Sequence, residues 1–317
     1  MRKEPGARMF SSTAPLLISR CVAISLLFLL SVGAGPRSLD ARIESRRAPR
    51  LRRSPRAGRF LDGLDVASLV RRLVIPATMW LLLVPARAFA GPPYVTDDPE
   101  PVEHHHWEFY LASQSFHDRD GWTGTAPHFE VNYGVVPNVQ LHLIAPLAYS
   151  VAPGDSAHYG YGDTELGVKF RFIQEGEWMP QVGTFPFLEV PTGSSRRGLG
   201  NGSAQVFVPI WLQKSFGPWT TYGGAGFWID AGQPDKHWWY FGWLLQREII
   251  EGLAVGAELF DSTPKERGDE NDFRFNVGAV IDVTDTHHIL LSAGRGIAGP
   301  NLFQGYVAYQ VTLGPSD

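Results

Sequence analysis

From Trp107 to Leu313 the chain alternates apolar and polar residues with a period of two, in about twelve segments of 8–14 residues separated by Gly, Pro, Asn and Asp. Successive side chains of a strand point to opposite faces, so this pattern predicts strands with one apolar and one polar face. In the last segment Phe303, Val307, Tyr309, Val311 and Leu313 share one face, and Gln304, Gln310 and Thr312 the other. Phe129, Val131, Tyr133 and Val135 alternate with His128, Glu130 and Asn132 in the same way. So do Leu166, Val168, Phe170 and Phe172 with Glu165, Lys169 and Arg171, and Phe273, Phe275, Val277, Ala279 and Ile281 with Arg274, Asn276 and Asp282. Val206, Val208, Ile210 and Leu212 oppose Gln205 and Gln213, and Val139, Leu141, Leu143 and Leu147 oppose Gln140 and His142. Pro186 leaves the faces of Phe185–Val190 unassigned.

Such strands suit two architectures. A soluble periplasmic ligand-binding barrel turns the apolar face inward, whereas a membrane barrel turns it to lipid around a polar lumen. Three features favour the membrane version. Lys169, Arg171 and Arg274 sit mid-strand on the minority face. Aromatic residues gather where girdles are expected, in 237–243 and at Trp211 and Trp219. Short connections (136–138, 174–180, 215–218, 250–252, 282–286) alternate with longer polar ones (117–124, 151–162, 192–202, 231–237, 262–271, 296–301). The expected fold is all-β: a single closed antiparallel transmembrane barrel of about 12 strands, with both ends on the periplasmic side.

Charge divides the chain. Residues 1–90 carry 16 Lys and Arg against 5 Asp and Glu, and residues 91–317 carry 12 against 27. An acidic second part argues against nucleic-acid binding, which needs cations to displace counterions. Arg71-Arg72, the apolar run 73–84 and Ala88-Phe89-Ala90 before Gly91 make a complete export signal over 66–90. The Arg-rich stretch before it has no apolar periodicity, so 1–65 reads as a spurious or disordered extension. Cys21, the one cysteine, follows Arg20, which rules out a lipid-attachment motif. Residues 91–103 read as an extended segment leading into a barrel over 104–317.

The stretches GYGDTELGVKFRF (160–172), PTG (191–193), SFGPWTTYGGAG (215–226) and GLAVGAELFDS (252–262) resemble the "MetA-pathway of phenol degradation" outer-membrane proteins. GPPYVTDDPEPVEHHHWEFYLAS (91–113) is similar to the mature start of a related subgroup. The resemblance implies an outer-membrane barrel passing small aromatic or hydrophobic compounds. It implies structural roles for Gly162, Gly167 and Gly193, and it carries over no catalytic residue. The chain departs from many such barrels by ending in Gly-Pro-Ser-Asp instead of an aromatic residue read by the barrel assembly machinery.

Other motifs point to bland roles. His104-His105-His106 alternate sides on an extended chain, so at most two of them converge on a metal and a strand entry at the periplasmic rim is the expected role; His287-His288 is the same case at a turn. Asp118–Gly121 and Asp269–Asp272 carry hard oxygen ligands but complete no calcium loop. Gly193–Gly200 lacks the Lys-Ser/Thr ending of a phosphate loop, though Arg196 and Arg197 suit lipopolysaccharide phosphates. Ser113, Ser292, His128 and His142 form no spaced unit and no G-x-S-x-G occurs, which leaves an outer-membrane enzyme as a minor alternative. The expected activity is therefore non-enzymatic, without cofactor or metal: a channel lying among outer-membrane lipid and lipopolysaccharide. Glu108, Glu130, Glu165, Lys169, Arg171, Glu258 and Arg274 are its candidate lumen-lining residues. Lys169 and Arg171 are expected either to pair with Glu130, Glu108 or Glu258, or to form a basic strip favouring anionic solutes.

Overall fold

The computed structural model describes residues 91–232, 237–265 and 268–315. The extension expected over 1–65 and the export signal expected over 66–90 lie outside the described residues.

Fourteen strand segments form one antiparallel sheet. Two staves are each interrupted once, which makes twelve. They are β1 Trp107–Asp118, β2 Gly121–Val136, β3 Val139–Val151, β4 His158–Tyr161 with Thr164–Ile173, β5 Gln181–Thr184 with Phe187–Val190, β6 Gln205–Phe216, β7 Trp219–Asp230, β8 Trp238–Ile250, β9 Leu253–Ser262, β10 Asp272–Thr284, β11 His287–Ala298 and β12 Phe303–Leu313. The sheet closes where β1 pairs with β12, from Trp107 opposite Leu313 to His117 opposite Phe303. Closure leaves no unpaired edge, which a strand structure in hydrocarbon requires. The break in β5 falls at Pro186, which has no N–H to give the ladder. Its carbonyl still accepts from Val168, at 3.0 Å.

The apolar face points outward. Phe170 is 43% exposed and Val277 48%, and Phe129, Leu141, Val208 and Tyr309 are exposed with them. That direction excludes the soluble ligand-binding barrel, which would bury these side chains. It also forms a continuous apolar belt, the surface a bilayer covers.

The inner face is mixed rather than purely polar. Tyr110, Ala112, Val280, Leu290 and Ala308 form one buried apolar cluster on it. Phe185, Phe207, Trp211, Tyr240 and Phe260 form another. Trp211 therefore does not belong to a lipid-facing girdle: it is 1% exposed and points inward. It shares parity with Gln205 and Gln213, which fixes its side. Trp219 and Trp239 do lie on the outer surface near strand ends.

Connections at the end carrying Trp107 and Leu313 are mostly two residues long, and those at the other end are mostly longer. The expected long connection at 117–124 is instead a two-residue turn, Arg119-Asp120, between β1 and β2. Trp122 stacks on His117 across this hairpin at 4.4 Å, so pairing continues to its tip.

Candidate functional site

The segment before β1 lies inside the barrel. Thr96 and Asp98 are completely buried there. Four groups of wall residues hold it. Glu258 on β9 accepts the amides of Val95 and Thr96, at 2.9 and 2.8 Å. Lys169 on β4 meets Asp97 at 2.9 Å and Asp98 at 3.4 Å. Glu100 is reached by Arg171 at 3.5 Å and, through its other oxygen, by Gln181 and Gln213 at 3.1 Å each. Ser292 donates to the Pro93 carbonyl at 2.6 Å, and Gln140 accepts the Val102 amide at 2.8 Å.

The wall is shaped for this segment. Inward-facing Gly256 and Gly278 are register partners on β9 and β10, and a Cβ on either would lie under 3 Å from the Tyr94 ring or hydroxyl. A Cβ on Gly242 would come within 2.3 Å of Thr96 Oγ1, and one on Gly183 within 2.9 Å of Pro99. Glycine at these positions leaves room for the side chains of the inserted segment against the sheet. Tyr94 completes the seat by packing on buried Tyr222 and Leu244.

All seven sequence candidates project to the interior side. Five take part in holding or framing the inserted segment. Lys169, Arg171 and Glu258 bind it directly. Glu108 accepts from Tyr110 at 2.7 Å, and Glu130 accepts from Asn132 at 2.9 Å, both beside the space the segment leaves. Glu165 is bound by His142 Nε2 at 2.9 Å. Arg274 bonds Gln304 and Asp272, and its guanidinium lies over Phe116 and Phe260. The expected pairing of Lys169 and Arg171 with Glu130, Glu108 or Glu258 does not form. Their partners are Asp97, Asp98 and Glu100, so their charge is used against the inserted segment and makes no free basic strip. Those contacts join residues more than seventy positions apart, beyond the reach of strand periodicity. One signal was available: acidic Asp97, Asp98 and Glu100 stand in the chain just ahead of a barrel with two adjacent inward cations.

Burial raises the Asp98 carboxyl well above the usual carboxylate range, nearby Lys169 opposes that, and Asp97 and Glu100 add to it.

A cavity of about 1020 Å³ remains on the side of the chain ends. It runs from the turn residues Gln174, Glu175, Asp285 and Thr286 to Tyr110, Glu130, His142 and Phe185. Its inner limits include Asp97 and Glu100 of the segment and members of the two buried clusters of the wall, Tyr110 and Leu290 of one and Phe185 of the other.

The glycine motifs organise the opposite end. Asp163, in the break of β4, accepts the amides of Gly193 and Asn201 at 2.8 and 2.6 Å. Thr192 donates to the Gly162 carbonyl at 2.7 Å. Together they tie the connection 191–204 across the interrupted stave. Gly167 serves the interior, since a Cβ there would stand 2.7 Å from the Phe185 ring. The serine and histidine candidates have other partners: Ser292 binds the inserted segment and His128 pairs with Thr125 at 2.7 Å. His104 stacks on His105, and His287 bonds Tyr309 at 2.7 Å.

No family model and no curated protein matches the chain. Among solved structures it is similar to the COG4313 outer membrane channel from Pseudomonas putida F1, with 15% identity and a TM-score of 0.57 over 71% of this chain and 100% of that one. The KdgM porin in complex with disordered oligogalacturonate is a looser likeness, with 9% identity and a TM-score of 0.46 over 65% of this chain and 98% of that one. At such identities the likeness is one of fold alone. The chain shares the closed twelve-stave barrel of the Pseudomonas putida channel, with residues 91–103 seated in the lumen.

Proposed function

We propose that the protein is an outer-membrane channel for small solutes, held shut by residues 91–103. The observation that carries this reading is the plug's mode of attachment. It is held by ion pairs and hydrogen bonds to wall side chains, chiefly Lys169, Arg171 and Glu258, and not by ladder pairing within the sheet. Each such contact is worth about 1.5–3 kcal/mol where a charge is involved. A plug so held can leave without breaking the barrel, and the polar wall it uncovers suits an aqueous path.

The resemblance to the MetA-pathway outer-membrane family gives the finer reading, passage of small aromatic or hydrophobic compounds. An inner wall of Phe185, Phe187, Phe207, Trp228 and Trp238 supports it, with ring centroids 4.8–5.6 Å apart from Phe185 to Phe187, Phe207 and Trp228 and on to Trp238. Outer-membrane lipid is the partner of the apolar belt. Arg196 and Arg197 are exposed for lipopolysaccharide phosphates, and the barrel assembly machinery would insert the chain.

Planar-bilayer recording tests the reading. The intact protein should stay closed for most of the record. A variant lacking 91–103 should conduct steadily, once heat-modifiable migration shows that it has folded. Silence from both would leave the barrel without a channel role.

A further inference from the structure

We infer that hydrolysis after Ala90 completes the plug: the α-ammonium left on Gly91 becomes the ion-pair partner of Asp98 inside the lumen. The inference does not depend on the channel reading. It rests on the export-signal cleavage expected at this bond and on the geometry around Gly91.

Ala88-Phe89-Ala90 supplies the small-x-small grammar of a processing site, with Gly91 after it. Gly91 is itself buried, and it lines the cavity beside Pro92 and Asp97. Its φ of +113° suits glycine, and a Cβ built on it would lie 3.7 Å from Asp98 Oδ2. The new chain end would therefore be made in the neighbourhood of one identified carboxylate oxygen, on the wall of the cavity inside the barrel.

That oxygen is the less well served of the two. Asp98 Oδ1 accepts the Glu100 amide. Oδ2 has Lys169 at 3.4 Å, and Lys169 stands closer to Asp97, at 2.9 Å. Among the described residues, the plug brings three carboxylates, Asp97, Asp98 and Glu100, to two wall cations, Lys169 and Arg171. Asp98 is 0% exposed, so an ionised Asp98 has no water to offset the surplus negative charge. A buried charge without a partner is expensive, and one further cation beside Oδ2 removes that cost.

The chemistry balances with water alone. Water adds to the Ala90 carbonyl carbon under catalysis by a peptidase. The C–N bond to Gly91 breaks, Ala90 keeps a carboxylate, and Gly91 takes both protons of the water as an ammonium. An α-amine titrates near ~7.7–8.0 when free, so it is mostly charged at neutral pH before any pairing. The uncut peptide has a neutral amide at this point. Processing thus adds one positive charge beside three acids that face two wall cations, which favours the ionised form of buried Asp98 and couples removal of the leader to seating of the plug.

The test reads the amine itself. Protein purified from outer membranes is analysed for its N-terminal residue, and Gly91 is expected. The folded protein is then treated at neutral pH with an amine-acylating reagent, and the rate at Gly91 is compared with that after denaturation. Pairing should slow it by about tenfold or more, the factor for one pKa unit of ammonium stabilisation. Asp98→Asn should restore most of the denatured rate. If that variant does not fold, insertion of Ser-Gly between Ala90 and Gly91 displaces the amine by about 7 Å with Asp98 intact, and fast acylation is expected there too. A different N-terminal residue, equal rates in folded and denatured protein, or unchanged protection in both variants would overturn the inference. No conductance is read, so such a result leaves the channel reading standing.

Discussion

Glu258 and Thr96 stand 162 positions apart, yet a carboxylate oxygen of Glu258 accepts the Thr96 amide at 2.8 Å in the interior of the barrel. The other oxygen takes the Val95 amide at 2.9 Å and Asn276 at 3.0 Å. One wall side chain thus fixes two consecutive backbone amides of the plug. Glu258→Gln keeps the size but turns an NH₂ group toward one of those amides. The loss of a charge-assisted contact costs about 1.5–3 kcal/mol. The open fraction in bilayer recordings should rise about tenfold or more. An unchanged closed fraction in a folded variant would remove Glu258 from the latch.

Lys169 is enclosed by Asp97 and Asp98, so reversing its sign sets three carboxylates against one another. Lys169→Glu should expel the plug, since breaking a buried pair costs about 3–5 kcal/mol. Arg171→Glu should do the same more weakly, because its contact with Glu100 is longer and more exposed. Both variants should show raised conductance with a cation-selective reversal potential in a salt gradient. Anion preference in either would contradict the placement of these residues.

Gly242 offers a test that changes no charge. Its Cβ would lie 2.3 Å from Thr96 Oγ1 and 2.5 Å from the Tyr240 hydroxyl, two atoms already bonded to each other at 3.0 Å. Gly242→Ala should overpack the seat by about 1–3 kcal/mol. Proteolysis of 91–103 in the folded barrel should quicken, with the heat-modifiable shift of the barrel retained.

The outward face is tested by Val277→Lys. Val277 sits mid-strand on β10 and is 48% exposed, so a lysine there meets lipid. The cost should be about 2–4 kcal/mol in the urea dependence of folding into liposomes. A neutral effect would place Val277 outside the hydrocarbon belt.

Asp163 joins the two glycine motifs by accepting from Gly193 and Asn201. Asp163→Ala leaves two amides without that acceptor and should free the connection 191–204. Trypsin should then cut at the exposed Arg196 and Arg197 several times faster, with the barrel intact. Equal cutting rates would show that the loop holds its shape by other contacts.

Most of the strands, their faces and their closure into a barrel are legible in the residues alone, the faces of Phe185–Val190 excepted. Period-two alternation is a local property, and the direction of each side chain follows from parity within one strand. Even the inward side of Trp211 is legible this way, since it has the parity of Gln205 and Gln213. The inward direction of Lys169, Arg171 and Glu258 was legible for the same reason. Their partners were not, because they lie on 91–103, a stretch with no periodicity that reads simply as the approach to the barrel. Whether a polar lumen is open or filled depends on contacts between residues seventy to two hundred positions apart. Only closing the sheet brings Glu258, Lys169, Arg171 and Ser292 around one space and sets glycines of the inner wall where plug side chains must lie. The tertiary structure decided that this space is occupied by the chain itself, because the plug's acids and amides find there the partners that water would otherwise supply.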